Sequence, residues 1–222
     1  MKWLLALLGA CGSARTDPPA EPAPSIDVTA VTRERLCVTR GAIEAERITE
    51  PTVRAIARSS RGDAAVLAFR YLGPSKIKRE LASGDARQQV GLKLHAQDGC
   101  NVVYVMWRSD KTKLDVSVKL NPGKHTHLEC GAEGYTKVVG KTNAVPTLGG
   151  VHTLRAELTG DELTAWVDGH VAWRGELPAS ARTLTGPSGF RTDNVEIVLQ
   201  QFSASPDASV TAGCPTGSAV SD

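Results

Sequence analysis

Residues 124 to 130 read KHTHLEC, with His125, His127 and Glu129 two apart and a cysteine at the end. On an extended chain such residues share a face, so two imidazoles and a carboxylate would project together while Thr126, Leu128 and Cys130 face the opposite way. With one more ligand from a neighbouring strand, for which His95 is the candidate, that set can chelate a transition metal. The competing reading is the polar outer face of a sheet. It is preferred because no exclusive spacing such as H-E-x-x-H is present, and neither a metal nor a cofactor is expected. Other chemistry is thinly represented. The acidic pairs Asp161 with Glu162 and Glu44 with Glu46 fall in a turn and near the first strands. No G-x-S-x-G elbow occurs, and the glycines of LGG at 148–150 precede a strand rather than a phosphate-binding helix.

The elements that would carry these residues have a period of two. In RQQVGLKLHA, Val90, Leu92, Leu94 and Ala96 take one face while Gln89, Lys93 and His95 take the other. LDVSVKL (114–120) alternates too, with Asp115, Ser117 and Lys119 outward. NVVYVMW (101–107) is apolar on both faces, as in a central strand covered on both sides; Val102, Tyr104 and Met106 are assigned inward. HTLRAEL, LTAWVDG and VAWRG form a meander reversing at TGDE and DGH, and VEIVLQQF (195–202) closes the core. Earlier strands are expected at 36–40, 53–59 and 64–72, with one weak helical turn at 179–183. So many short strands with almost no helical periodicity predict an all-β, two-sheet antiparallel sandwich.

The ends cannot bury a core. MKWLLALLGACGS holds Lys2, an apolar run far below the roughly 20 residues of a spanning helix, and then Leu8, Gly9, Ala10 and Cys11. These four residues resemble a bacterial lipobox. The resemblance implies cleavage before Cys11 and lipidation of its thiol, although ten residues is shorter than the roughly 15–30 of an ordinary secretory signal. Residues 12–27 hold four prolines and read as a tether. The division expected is a signal segment 1–11, a tether 12–30, a sandwich domain 31–203 and a flexible tail 204–222. The charges, 26 Lys plus Arg against 24 Asp plus Glu, nearly cancel, which argues against a nucleic-acid partner.

The run HTLRAELTGDELTAWVDGHVAWRGELP, followed by GPSGFRTDNVEIVLQQF, resembles the C-terminal half of concanavalin-A-like jelly rolls, in particular laminin-G-like and family-16-glycosidase-like modules. The matching elements are Gly160 with Asp161, Val167 to Gly169, Trp173, and Gly186 to Thr192. The resemblance covers roughly residues 60–203 and implies a curved sandwich that binds carbohydrate in many relatives. The family-16 glycosidase motif E-x-D-x-x-E is absent, so catalysis is not expected from it. Four cysteines besides Cys11 allow three pairings. Cys100 and Cys130 are both assigned inward and are expected to pair, leaving Cys37 to join Cys214, since terminal strands are neighbours in this family.

The resulting expectation is an exported, lipid-anchored, non-catalytic sandwich of the cell envelope that binds glycan or another extracellular ligand. The proposed face carries Lys93, His95, Lys119, His125 and His127, with Trp107 as a stacking surface. A glycoside hydrolase or lyase with acids supplied by loops, and an envelope interaction module with no small ligand, are the alternatives.

Overall fold

An alternating strand must cover its apolar face, and here two sheets cover one another. The structure, a computed structural model, describes residues 26–209 and Cys214. Its strands are β1 (Thr29–Ala30), β2 (Leu36–Arg40), β3 (Arg47–Ile48), β4 (Thr52–Ala57), β5 (Ser60–Pro74), β6 (Gln89–Leu94), β7 (Val102–Arg108), β8 (Lys113–Lys119), β9 (Tyr135–Lys137), β10 (Lys141–Thr142), β11 (Gly150–Thr159), β12 (Glu162–Val167), β13 (His170–Glu176), β14 (Ser188–Asp193) and β15 (Val195–Pro206). One sheet has the order β1-β15-β5-β11-β12-β13-β10, with β3 also on β15. The other, of seven strands, runs β2-β4-β14-β6-β7-β8-β9. The all-β antiparallel sandwich expected from the periodicity is what forms.

Val90, Leu92 and Leu94 of β6 and Leu114, Val116 and Val118 of β8 lie between the sheets, as their alternation predicts. Burying each such side chain contributes about 1.5–3 kcal/mol. The hairpin from β12 to β13 turns on Asp168 and Gly169, both at positive φ, as two-residue hairpin turns require. Asp168 also accepts a hydrogen bond from Thr153 N and lies 2.8 Å from His152 Nδ1, which ties the turn to β11.

β7 faces the other way from its expected orientation. Val105 sits opposite Leu92 on one side and Val116 on the other, and directly paired residues share a face. Val103, Val105 and Trp107 are therefore the core residues, while Val102, Tyr104 and Met106 point to the outer face of the seven-stranded sheet. A strand apolar on both sides carries no alternation from which to read its facing; only its neighbours fix it.

Residues 124–130 do not form a strand. They make a turn and a single helical turn, α1 (His127–Cys130), closed by a capping box in which Glu129 accepts hydrogen bonds from His125 N and Thr126 N at 2.9 and 2.7 Å. Leu128 is 94% exposed rather than inward. Both expected disulfides form, Cys37–Cys214 and Cys100–Cys130. The second docks α1 onto the loop between β6 and β7. The lipobox and most of the tether lie outside the described residues, and among those described no helix is long and apolar enough to cross a membrane.

Candidate functional site

The outer face of the seven-stranded sheet is built in cross-strand rows. In one row Arg40 of β2 pairs with Arg54 of β4, which pairs with Arg191 of β14; the row continues through Gly91, Met106 and Asp115 on β6, β7 and β8. The next row carries Asp193, Gln89, Arg108 and Lys113. On the other side of the arginine row lie Lys93, Tyr104, Ser117 and Lys137. Gly91 is required where it stands, because a Cβ there would lie 2.2 Å from Val105 O and 2.7 Å from Met106 Sδ.

Two loops bound this floor at opposite strand ends. The first, residues 75–88, is held by Asn194, whose amide accepts from Arg79 N at 2.7 Å and donates to Arg79 O and Arg87 O at 2.8 and 3.0 Å. The second is the α1 segment. Lys119 Nζ donates to Gly131 O at 2.9 Å and to Gly99 O at 3.1 Å, which ties the end of β8 to both segments of that rim, and the Cys100–Cys130 disulfide clamps them. The result is a trough of about 490 Å³.

Within the trough Tyr104 and Tyr135 stack, with ring centroids 6.1 Å apart and planes at 22°. The Arg191 guanidinium lies 5.2 Å from the Tyr104 centroid, and Lys119 Nζ lies 5.2 Å from that of Tyr135. Arg191 Nε donates to Asp193 Oδ2 at 2.7 Å, and Gln89 Nε2 donates to the same oxygen at 2.7 Å. Burial opposes the charge on Arg191, yet Asp193 and the two tyrosines hold its pKa well above the ordinary guanidinium value. Burial, and then Tyr104, push the Tyr135 phenol up to about 12, so it stays protonated. His127, at the rim, is driven below the ordinary imidazole pKa by burial first and then by Lys119, Arg54, Arg40 and Arg191. Backbone hydrogen bonds from Thr126 and His125 hold the Glu129 carboxyl down to about 2.

The residues singled out from sequence divide. Lys93 and Lys119 lie on this face, both almost completely buried, and His127 lines the trough. His125 stands outside on the exposed side of the rim, its Nδ1 3.0 Å from Asp98 Oδ2. His95 is at positive φ, so its side chain leaves the polar face of β6; the ring lies 2.9 Å from Leu184 O and 3.0 Å from Asp63 Oδ1 instead. Trp107 is 0% exposed between the sheets, edge-on to Phe69 and His152, and offers no surface for stacking. Glu129 is taken up by the capping box, and among the described residues no group of three or more His, Cys, Asp or Glu converges to hold a metal ion. Tyr104, Tyr135, Arg54 and Arg191 were missed. The usable signal was the pairing of β7 between two cleanly alternating neighbours, which turns Tyr104 outward.

No protein-family model matches the sequence, and no curated protein does. Solved structures do match in fold. Carbohydrate binding module CBM66 from Bacillus subtilis superposes with a TM-score of 0.52 at 13% identity, covering 76% of this chain and 93% of that one. The fold is a concanavalin-A-like jelly roll. The Crh5 transglycosylase in complex with NAG gives 0.48 at 14% identity over 83% of this chain and 85% of its own. The Caenorhabditis elegans galectin LEC-6 gives 0.40 at 10% identity over 78% and 97%. At 13% identity the likeness to the carbohydrate-binding module speaks for the fold alone and leaves function to the trough.

Proposed function

We propose that this jelly roll is a non-catalytic glycan-binding protein and that the trough on its seven-stranded sheet is the binding site. The observation that carries the reading is the stacked Tyr104–Tyr135 pair, set between Arg191 and Lys119 in a recess bounded by two tied-down loops. Sugar rings pack their C–H faces on aromatic rings and direct their hydroxyls to fixed polar groups, and a saccharide site needs both. The carbohydrate-binding module with the same fold is consistent with this use. A recess of this volume counts against an interaction module that would need only a flat face.

Hydrolysis is less well supported. A retaining glycosidase needs two carboxylates about 5 Å apart. The acids lining the trough are Glu80 and Asp115, and Asp115 lies 2.8 Å from Lys113 Nζ and 3.7 Å from Arg108. Export and a lipid anchor at Cys11 belong to the same proposal, supported by the lipobox and by two disulfides of the kind formed in oxidising compartments. Cys11→Ser should then move the protein from the membrane fraction to the soluble one.

Glycan-array binding followed by titration calorimetry tests the site. Tyr135 is partly exposed, so Tyr135→Ala should fold and weaken binding by about tenfold, the value of one aromatic stacking contact. Wild-type affinity in that variant, or release of new reducing ends from a bound polysaccharide, would overturn the proposal.

A further inference from the structure

The composition is nearly neutral, but the charges are not spread evenly. Ten lysines and arginines line the trough against two carboxylates, Glu80 and Asp115. The sharpest expression is the row of Arg40, Arg54 and Arg191, contributed by three adjacent strands of one sheet face. Strands lie about 4.8 Å apart, and like charges directly opposite one another destabilise a sheet. Three arginines in register therefore bring positive charge together on this side of the floor. Asp193 meets Arg191 from the neighbouring row. On the far side of the trough acids accompany the cations: Asp110 pairs with Arg108 and Asp115 with Lys113. Charge thus accumulates at the β2–β4–β14 side, where Tyr104 abuts Arg191.

Resting on the glycan-binding reading, we infer that the ligand is an acidic polysaccharide whose carboxylate or sulfate groups lie along the arginine row while its sugar rings rest on the Tyr104–Tyr135 pair. Guanidinium groups favour such groups because their planar fork donates two parallel hydrogen bonds to two oxygens. The cations nearest the tyrosines are also positioned in advance, Arg191 by Asp193 and Lys119 by two backbone carbonyls. That suits repeated, directed recognition of a substituted sugar more than the diffuse field that holds a nucleic-acid backbone. His127 adds to the site, because a bound anion favours its protonated form.

Calorimetry on the full chain at two salt concentrations decides the matter, with polygalacturonate and chondroitin sulfate as acidic probes, dextran and laminarin as neutral ones, and single-stranded DNA as a charged control. At least one acidic polysaccharide should bind at least tenfold more tightly than either neutral one, and binding should weaken as salt screens it. The tighter acidic probe identifies carboxylate or sulfate as the group read. Two exposed lysines provide matched variants: Lys137 in the trough and Lys141 on β10 of the other sheet. Lys137→Glu should weaken acidic-glycan binding about tenfold, and Lys141→Glu should leave it within twofold. Equal loss in both variants, or DNA binding as tight as that of the acidic glycans, overturns the inference. Binding of the neutral glycans with equal strength overturns it too, while sparing the glycan-binding reading. If no glycan binds, both fall.

Discussion

Asp193→Asn separates the charge of the trough floor from its shape. Asp193 is fully buried, and one of its carboxylate oxygens takes both the Arg191 and the Gln89 hydrogen bonds. An asparagine keeps the size and one acceptor oxygen, so the loss is the negative charge beneath the arginine row. Arg191, itself buried, is then left without its counterion, and breaking a buried pair from one side costs about 3–5 kcal/mol. For a domain of this length each kcal/mol moves the melting temperature by about 2–4 °C, so a fall on the order of 10 °C is expected in a calorimetric melt. Replacing both partners, with Arg191→Met and Asp193→Leu together, should recover most of that loss, since a buried pair exchanged for well-packed apolar residues is often neutral. The double variant should still bind acidic glycan poorly, because the row has lost an arginine. A single variant melting within about 1 °C of wild type would refute the reasoning, because the pair would then carry no buried charge.

Removing the clamp on the rim, with Cys100→Ser and Cys130→Ser together, should cost about 3–4 kcal/mol by loop closure over the 30-residue separation, measured by urea denaturation. It should also weaken ligand binding, because α1 and His127 lose their anchor. The imidazole of His127 is held below its ordinary pKa by burial and neighbouring cations, so the unfolded chain takes up its proton first as pH falls. Its contribution to stability is complete above the unfolded pKa near 6.5 and declines below it. Anion affinity should move in the opposite sense, rising as pH falls through this range and levelling in His127→Gln. Glu129, held down to about 2 by the capping box, keeps that contribution above the ordinary carboxylate pKa and loses it as pH falls through about 2. Glu129→Gln should therefore flatten any acid transition seen in α1 by NMR.

Strong alternation made the architecture readable. β6, β8 and the meander of β11 to β13 each bury one face and announce their reversals with glycine turns, and the resemblance over residues 60–203 pointed to the same sandwich. β7 failed because both of its faces are covered, one by the second sheet and one by Tyr135 and the rim, so Trp107 was assigned to the wrong side. KHTHLEC failed for a local reason. Thr126 and Glu129 form a capping box, a helix start that a reading built on the two-residue spacing of the histidines does not include. The Cys100–Cys130 pairing was correct, although Cys130 reaches it from a helical turn rather than a strand. The trough itself had no linear signature. Its arginines come from positions 40, 54 and 191 and its tyrosines from 104 and 135, so only the sheet order brings them together, and an almost neutral composition concealed how far the fold separates the charges.

The most direct test of the central claim is chemical-shift mapping of the isotope-labelled protein with oligosaccharides of galacturonic acid. Perturbations should cluster at Arg54, Tyr104, Lys119, Tyr135 and Arg191, leaving β11, β12 and β15 of the opposite sheet unchanged. Shifts concentrated on that opposite sheet, or none at a concentration that saturates binding, would contradict the assignment of the trough as the glycan site.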